Sequence, residues 1–225
     1  RNNYVTILTV MDYVLFGIQG SGKGTQGKIL AAKIDAAYFE TGGELRRLAA
    51  EPSPLGKKVK SIIDAGHLVP NEVVMEIVEN FIKNSGAKER PGEIQPIIFD
   101  GIPRNKEQNE SLENLLQKLK RQYTGVYFEL SREEAENRLL KRRICSKCKE
   151  VYPAHYKNPV CEKCNGELIT RADDNADSIR TRIDIFYKET LSIIEKWARH
   201  GKMIKINALP PIDEVTKELF SKLAL

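Results

Sequence analysis

Short apolar runs alternate along the chain with longer segments in which apolar residues recur at helical spacing. The strand-like runs are 13–16, 36–40, 96–100, 125–130 and 203–206. Helical periodicity predicts helices over about 22–34, 55–64, 71–83, 105–120, 131–143, 174–199 and 212–223. Strands that alternate with helices favour an α/β fold, with a parallel β-sheet covered by helices on both faces.

The first strand runs directly into a glycine-rich loop, Gly17-Ile-Gln-Gly-Ser-Gly-Lys23-Gly-Thr25. Glycines allow backbone N–H groups to curl around an anion at a helix start, where the helix dipole also favours negative charge. Lys23 adds a full positive charge for the β and γ phosphates, and the hydroxyl of Thr25 comes one residue later than in the standard phosphate-loop pattern. A chance glycine-rich turn is the alternative. The strand before the loop and the helix after it favour a site for a nucleotide phosphate chain.

Length and composition are ordinary for a globular protein. The chain has 225 residues, of which 41% are hydrophobic and 30% charged, which suits one α/β domain with inserts. The net charge of +5 fits either a solvated surface or a cleft for polyanionic substrates. The chain lacks a concentrated basic tract and an apolar stretch of membrane-spanning length, so we expect neither a nucleic-acid partner nor a membrane.

The first ten residues have some apolar character. They lack the long hydrophobic region and the small-residue cleavage site of a secretory signal. Because Met11 directly precedes the first strand, we interpret residues 1–10 as an upstream or artificially added extension.

Four cysteines lie in two matched pairs, Cys145-Ser-Lys-Cys148 and Cys161-Glu-Lys-Cys164. Each pair can present two thiolates, so together they supply a closed tetrahedral shell for a structural Zn²⁺. Iron or an iron–sulfur cluster, disulfides and a redox-active pair are alternatives for the same residues. Two matched pairs favour a metal in a reducing compartment, by default the cytoplasm.

Several arginines are candidates for binding phosphate. They are Arg46, Arg104, Arg138, Arg142, Arg171 and Arg182. Arg138 and Arg142 are four residues apart, which predicts that they share one helix face just before the cysteines. Each arginine alone is more typical of a solvated surface. Together, beside a phosphate loop, they indicate a cage that positions and neutralises a moving phosphoryl group. An acceptor that is already an ionised phosphate needs no general base.

The strand at 96–100 ends on Asp100, which Gly101-Ile-Pro-Arg104 follows. Ligands of open α/β sheets bind at the carboxyl ends of the strands. A carboxylate at this edge can orient the water shell of Mg²⁺, an ion that usually keeps several waters. A helix or turn cap is the alternative role for Asp100.

Four motifs, in this order, resemble those of the adenylate kinase family in its long-lid, zinc-binding bacterial form. They are Gly17-x-x-Gly-x-Gly-Lys-Gly-Thr-Gln26, Thr41-Gly42 with Arg46, Asp100-Gly-Ile-Pro-Arg104 with Gln108, and Arg171-Ala-Asp-Asp-Asn175. The resemblance covers roughly residues 11–225. It implies the P-loop nucleoside monophosphate kinase fold. It also implies reversible, Mg²⁺-dependent phosphoryl transfer from ATP to AMP, giving two ADP, in adenine nucleotide homeostasis.

The resemblance further implies individual residue roles. Residues expected at ATP are Gly20, Ser21, Gly22, Lys23, Gly24, Thr25, Arg138, Arg142, Tyr152 and Tyr156. Residues expected at AMP are Thr41, Gly42, Arg46, Val69, Gly101, Arg104, Gln108, Arg171 and Arg182. The expected catalytic set is Lys23, Arg104, Arg138, Arg142, Arg171 and Arg182. Asp100 is expected near the Mg²⁺ waters and Asp173 in the closed lid, while packing within the cysteine region is the alternative for Tyr156.

The same resemblance implies a division of the chain. The core comprises 11–39, 70–140 and 175–225, a helical AMP-binding insert spans 40–69, and a zinc lid spans 141–174. We expect a monomer whose lid and insert close over the substrates and exclude water. Gly43 departs from the pattern, because the family usually has an acid there, near the Mg²⁺ water network. A change in metal dependence or rate is therefore expected.

Two other functions remain open on the sequence. One keeps the chemistry and changes the acceptor to another nucleoside monophosphate. The other is a non-catalytic ATP-binding protein or a zinc-ribbon protein that binds nucleic acid. The full set of Lys23 and phosphate-binding arginines favours an enzyme, because a simple binding protein needs no cage at a transfer point.

Overall fold

The computed structural model of the chain describes residues 10–85, 95–153, 156–171 and 173–225. Of the expected extension at 1–10, residues 1–9 lie outside the described part, so the interpretation of that segment stays a prediction.

A five-stranded parallel sheet forms the centre of the molecule, in the order β2-β3-β1-β4-β8. Its strands are β1 (Met11–Phe16), β2 (Ala37–Glu40), β3 (Ile97–Asp100), β4 (Gln122–Glu129) and β8 (Met203–Asn207). Val14, Phe99 and Phe128 have no exposed surface, as expected for strands covered on both faces. The predicted parallel α/β sheet is confirmed.

Helices flank this sheet. They are α1 (Lys23–Ile34), α2 (Thr41–Ala49), α3 (Pro54–Asp64), α4 (Asn71–Ser85), α5 (Lys106–Lys118), α6 (Arg132–Leu140), α7 (Ala176–Ile185), α8 (Leu191–Arg199) and α9 (Ile212–Leu223). Side-chain oxygens of Ser53, Asn105, Ser131 and Asn175 accept backbone N–H groups at the starts of α3, α5, α6 and α7, the usual way to satisfy the free donors of a first turn. Among the described helices, none combines the length and the apolar character that crossing a bilayer requires.

A second, smaller sheet carries the cysteines. Its antiparallel strands are β5 (Arg143–Cys145), β6 (Val151–Tyr152) and β7 (Leu168–Ile169), in the order β6-β5-β7. Cys145, Tyr152 and Cys161 are buried together here, separately from the main core. A sheet this small needs help to remain folded, because three very short strands bury little apolar surface.

Two predicted helices differ from the structure. The helix predicted over 131–143 ends at Leu140, and Arg143 pairs instead with Tyr152 in the small sheet. Arg142 therefore lies beyond the helix, and the prediction that it shares a helix face with Arg138 is wrong. The helix predicted over 174–199 is interrupted by a π-helical turn at Phe186–Thr190. Both differences depend on tertiary contacts that local periodicity does not report.

A buried ion pair lies between β1 and the start of β4. Asp12, which is fully buried, accepts hydrogen bonds from Arg121 at Nε (2.5 Å) and Nη2 (2.7 Å). The backbone N–H of Ile97 donates to the same carboxylate over 2.8 Å. Buried charges are tolerated only with this degree of pairing, so the contact joins three strands at the end of the sheet opposite the glycine-rich loop.

Candidate active site

The glycine-rich loop connects β1 to α1 at the carboxyl edge of the sheet. Gly22 precedes the helix with φ +81°, and Gly20 has φ +88° with an added Cβ only 2.9 Å from the carbonyl oxygen of Ala135. Glycine is needed at both positions, since L side chains rarely adopt this conformation. The Oγ of Ser21 is buried and has no hydrogen-bond partner among the described residues. A phosphate oxygen would supply such a partner, which fits an anion site at the start of α1.

Lys23 is the first residue of α1, and both negatively and positively charged side chains act on its ammonium group. Burial is the largest influence on it and lowers the pKa of Lys23 below its usual value, while Asp100 opposes this shift. Arg104 and Arg142 lower the same pKa further. An acid at the end of β3 and guanidinium groups from two other parts of the chain therefore act on the same ammonium group, and Lys23 lines one cavity with Arg104. An ammonium held in this surrounding is suited to bind the most negative part of a phosphate chain.

Asp100 is held against the glycine-rich loop by Tyr38. The Tyr38 hydroxyl donates to Asp100 Oδ2 over 2.7 Å and lies 3.3 Å from the carbonyl oxygen of Gly24. Burial and the charge of Asp100 raise the pKa of Tyr38, so the hydroxyl keeps its proton. The side chain that caps α5 is that of Asn105. The alternative of a helix cap for Asp100 is therefore wrong for α5, and its carboxylate faces Lys23.

Arg104 is fixed through its backbone as well as its side chain. Its N–H donates to Gln108 Oε1 over 2.9 Å, and its carbonyl oxygen accepts from Thr190 Oγ1 over 2.7 Å. The side-chain Nε donates to the carbonyl oxygen of Gly101 over 2.9 Å. Burial, together with other arginines, lowers the pKa of Arg104. The guanidinium group is thus positioned before any anion arrives.

Two consecutive aspartates gather three arginines. Arg142 makes two parallel hydrogen bonds to Asp174, and Arg182 donates to Asp174 Oδ1 over 2.8 Å. Arg171 makes two hydrogen bonds to Asp173, at 2.7 and 2.8 Å. Bidentate pairs of this kind are short, strong and directional. The aspartates offset the mutual repulsion of the arginines and hold them in place.

The four cysteines meet at one point. Their Sγ atoms all lie within 4.8 Å of one another, with 3.4 Å between Cys145 and Cys164 and 3.5 Å between Cys148 and Cys161. All four thiols are free, and a disulfide needs about 2.05 Å between sulfurs, so the disulfide alternative is wrong. A tetrahedral Zn²⁺ with bonds of about 2.3 Å separates its sulfur ligands by about 3.8 Å. The thiol set fits such an ion.

Comparison with known proteins gives the same result as the geometry. The family model of adenylate kinase matches residues 15–202. The chain belongs to the adenylate kinase family. It is a nucleoside monophosphate kinase, a phosphotransferase with adenylate kinase function.

Curated members of the adenylate kinase family match over nearly their whole length. The adenylate kinase of Kosmotoga olearia is 35% identical over 218 residues, which cover 95% of this chain and 99% of that protein. The enzyme of Fervidobacterium nodosum is 33% identical, with coverages of 94% and 96%. The enzyme of Staphylococcus epidermidis is 34% identical, with coverages of 93% and 97%. The similarity therefore extends beyond the glycine-rich loop to the whole kinase.

Some expected site residues of this adenylate kinase lie apart from the arginine cluster. Arg138 pairs with Glu134 over 2.8 Å and donates to the carbonyl oxygens of Ala208 and Leu209 at 3.0 and 2.9 Å. Arg138 therefore lies on the α9 side of the glycine-rich loop, apart from the Asp174 carboxylate that holds Arg142. Its hydrogen bonds fix the guanidinium plane next to an exposed Leu209.

The two lid tyrosines pack within the cysteine module. Their ring centroids are 4.3 Å apart. The Tyr152 hydroxyl donates to Cys161 Sγ over 3.1 Å, and the Tyr156 hydroxyl donates to the carbonyl oxygen of Val160 over 3.1 Å. In this arrangement both rings support the thiols, which is the packing alternative for Tyr156.

Several of the residues expected to bind AMP lie together. Thr41 donates to the carbonyl oxygen of Asp100 over 3.1 Å. An added Cβ on Gly42 would lie 3.0 Å from Arg46 Nη1, so the guanidinium group of Arg46 lies directly over the first turn of α2. Val69, the last residue of the expected insert, is buried.

Sequence reasoning missed three residues that organise the site. Asp174 belongs to the motif Arg171-Ala-Asp-Asp-Asn175, but the sequence assigned it no role of its own. The signal that could have found it is the two acids in succession after an arginine, because such acids can pair with arginines. Tyr38 lies on β2, and the sequence does not indicate which side chains of that strand face the glycine-rich loop. Thr190 reaches Arg104 from the π-helical turn, and no local pattern announces that contact.

Proposed function

We propose that this adenylate kinase transfers the γ-phosphoryl group of Mg·ATP reversibly to AMP, giving two ADP, and so takes part in adenine nucleotide homeostasis. The observation that carries the proposal is that Lys23 and Arg104 line one cavity beside the glycine-rich loop, where Arg142 and Arg182 add their charge. A site that only binds one nucleotide does not need this much positive charge around a single point.

On the donor side, the glycine-rich loop is proposed to hold the ATP phosphates. The residues involved are Gly20, Ser21, Gly22, Lys23, Gly24 and Thr25. The unmatched Ser21 hydroxyl and the N-terminal N–H groups of α1 supply donors at this point. Lys23 is proposed to follow the phosphoryl group as it moves, because Lys23 and Arg104 line the same cavity beside the loop. Arg138, with Tyr152 and Tyr156 farther away in the lid, stays a proposed contact of the ATP side.

On the acceptor side, Arg46 and Arg104 are proposed to bind the AMP phosphate. Thr41, Gly42, Val69 and Gly101 shape the pocket, with Arg171 and Arg182 above it. Gln108 Oε1 already accepts from the Arg104 backbone, which leaves its amide nitrogen to donate to the adenine edge. The acceptor oxygen is already ionised near neutral pH, so attack needs alignment and charge neutralisation and does not need a base.

The residues also fit two metal ions. Mg²⁺ bound with ATP supplies charge neutralisation at the phosphates, and Asp100 is the carboxylate placed to orient its water shell. A Zn²⁺ held by Cys145, Cys148, Cys161 and Cys164 is proposed to stabilise the small sheet. Free thiols that bind a metal suit a reducing compartment, so we propose a cytoplasmic location.

Closure of two parts over the core is proposed to protect the reaction from water. These parts are the insert at 40–69 and the zinc lid at 141–174, while 11–39, 70–140 and 175–225 form the core. Arg142 and Arg171 lie at the two ends of the lid, so lid movement brings both over the phosphates. Water excluded in this way cannot compete with AMP as acceptor. We propose that the enzyme works as a monomer.

One assay tests the proposal. Purified protein is incubated with Mg·ATP and, separately, with AMP, CMP, UMP or GMP, and the nucleotides are separated and quantified. ADP formed in a 2:1 ratio to consumed AMP, with much slower turnover of the other acceptors, is the expected result. Equal turnover of several acceptors contradicts AMP selectivity, and no turnover with any acceptor contradicts transfer itself. Sedimentation in the same buffer shows whether the active species is a monomer.

A further inference from the structure

Glu40 is a cleft residue to which the expected site assigned no role. It ends β2 and is in register with Asp100, the last residue of the neighbouring parallel strand β3. Both residues therefore lie at the edge of the sheet where the ligand cleft opens. The side chain of Glu40 is 40% exposed, and its Oε1 accepts a hydrogen bond from Arg46 Nη2 over 2.9 Å.

The carboxyl group of Glu40 lies beside residue 43. A Cβ added to Gly43 would lie 3.5 Å from both Cδ and Oε2 of Glu40. Gly43 lies in the first turn of α2, and its φ is not in the left-handed region, so the backbone does not demand a glycine there. A separation of 3.5 Å is ordinary van der Waals contact, so a small side chain at residue 43 would lie against the carboxylate of Glu40 without displacing it.

Arg46 needs a nearby carboxylate because other cations surround it. Burial and then Arg171 lower the pKa of Arg46, and Arg46 in turn lowers the pKa of Arg104. Asp173 and Asp174 are already hydrogen-bonded to Arg142, Arg171 and Arg182. Among the described residues, Glu40 is the carboxylate that is hydrogen-bonded to Arg46.

We propose that Glu40 is a positioning residue for the acceptor phosphate, which holds Arg46 in the cleft through its hydrogen bond from the end of β2. The pair occupies one N–H of a group that has five, so Arg46 keeps donors for a phosphate. Without Glu40, the repulsion from Arg171 and Arg104 turns the guanidinium group toward solvent. The inference rests on the proposed function, because it assumes that Arg46 meets the phosphate of AMP.

Glu40→Gln tests this directly, since it keeps the shape and removes the charge. AMP binding is measured by calorimetry, and KM and kcat by steady-state kinetics. We expect the Kd and KM for AMP to rise about fivefold, as one partly exposed ion pair allows, with the KM for ATP changed less than about twofold. The matched control is Glu44→Gln on α2, the helix that carries Arg46, because Glu44 pairs with the exposed Arg47. It should leave all three constants unchanged.

A second substitution separates positioning from a general effect on folding. Gly43→Asp places a second carboxyl group beside the side chain of residue 40, three residues before Arg46 on α2, where acid–base pairs meet. In the Glu40→Gln background it should restore most of the affinity for AMP, whereas in the wild-type background it should bring no gain. A structural role alone predicts no such rescue.

Three results overturn the inference. They are an unchanged or lower Kd for AMP in Glu40→Gln, an equal effect of Glu44→Gln, and a failure of Gly43→Asp to rescue a folded Glu40→Gln protein. Wild-type turnover is measured first. If the wild type transfers to AMP and Glu40→Gln behaves as the wild type, only this inference fails. If the wild type neither binds AMP nor transfers to it, the proposed function fails, and the role of Glu40 fails with it.

Discussion

Arg142 and Asp174 are joined by two parallel hydrogen bonds, Nε to Oδ2 over 2.8 Å and Nη2 to Oδ1 over 2.7 Å. Asp174 has no exposed side-chain surface. One residue begins the segment that carries the cysteines and the other ends it, so the pair closes the base of the proposed lid. Arg182 shares the same carboxylate and connects this base to α7.

Asp174→Asn should weaken both the fold and the reaction. It leaves Arg142 and Arg182 buried without their shared charge, which costs about 3 kcal/mol of unfolding free energy. The kcat should fall roughly tenfold, since the two guanidinium groups lose their alignment. Urea unfolding and steady-state kinetics measure the two effects. Asp177→Asn, exposed in the first turn of α7, is the control and should cost less than about 1 kcal/mol. Equal losses in the two variants would contradict the role of Asp174 in holding Arg142 and Arg182.

Lys23→Met should abolish turnover and leave the fold intact. Removing a preorganised charge at the moving group lowers kcat by about 1000-fold. Because burial and nearby arginines lower the pKa of Lys23, its charge does not stabilise the folded state, and the melting temperature should stay the same or rise. Lys28→Met, one turn later on the exposed side of α1, is the matched control and should keep near-normal kcat. A clear drop in melting temperature for Lys23→Met would assign Lys23 a structural role.

Cys161→Ser should remove the metal and loosen the small sheet. Elemental analysis of the wild type should give one zinc per chain, and the variant should retain little. The buried thiol also accepts the Tyr152 hydroxyl, so the melting temperature should fall by about 5 °C or more. Lys147→Ser, at an exposed position of the other cysteine hairpin, should keep both its zinc and its melting temperature. Unchanged zinc content in Cys161→Ser would rule out the four-thiolate site, and iron in place of zinc would correct its metal.

The ion pair of Asp173 should give stability a distinct pH dependence. Burial acts to raise the pKa of Asp173, but the hydrogen bonds and charge of Arg171 outweigh it and lower that pKa below its usual value. A carboxyl group with a lowered native pKa stabilises the folded state above its unfolded pKa, and this stabilisation is lost as pH falls through the native value.

Asp173→Asn makes this contribution measurable. The wild type should exceed the variant by about 2 kcal/mol of unfolding free energy at neutral pH, and the difference should shrink steadily below about pH 4. Urea unfolding from neutral to acid pH gives both curves. Asp213→Asn, at an exposed position of α9, should show a small difference throughout. A difference between wild type and Asp173→Asn that stayed constant into acid would contradict the ion-pair account.

The parts of the fold that the sequence predicted are those specified by local pattern. The strand ending at Phe16, the glycine-rich loop and the start of α1 follow from apolar runs, glycine and helical spacing in adjacent residues. The cysteine cluster follows from two short spacings, because each hairpin determines its own pair of thiols. The arginines could be assembled only through their motifs, since no spacing along the chain brings Arg46 next to Arg171.

The parts that escaped prediction are set by contacts between distant segments. The end of α6 depends on Arg143 pairing with Tyr152, a partner across the cysteine hairpin. No sequence pattern singles out Glu40. Its contact with Arg46 depends on the angle at which α2 leaves the end of β2. Gly43 lacks the acid that the family usually has there, and in the structure the carboxyl group of a neighbouring acid, Glu40, lies beside that position.

The π-helical turn at Phe186–Thr190 connects α7 to α8 without a break and lets the two helices pack against different parts of the molecule. One extra residue per turn shifts everything after it by about 100° around the axis. Before the turn, Arg182 points to the aspartates of the cleft; after it, Trp197 packs edge-on against Phe16 and donates to Asn109 over 2.9 Å. The turn therefore changes, by a fixed angle, the direction in which α8 faces relative to α7, so that Arg182 reaches the cleft and Trp197 reaches the core.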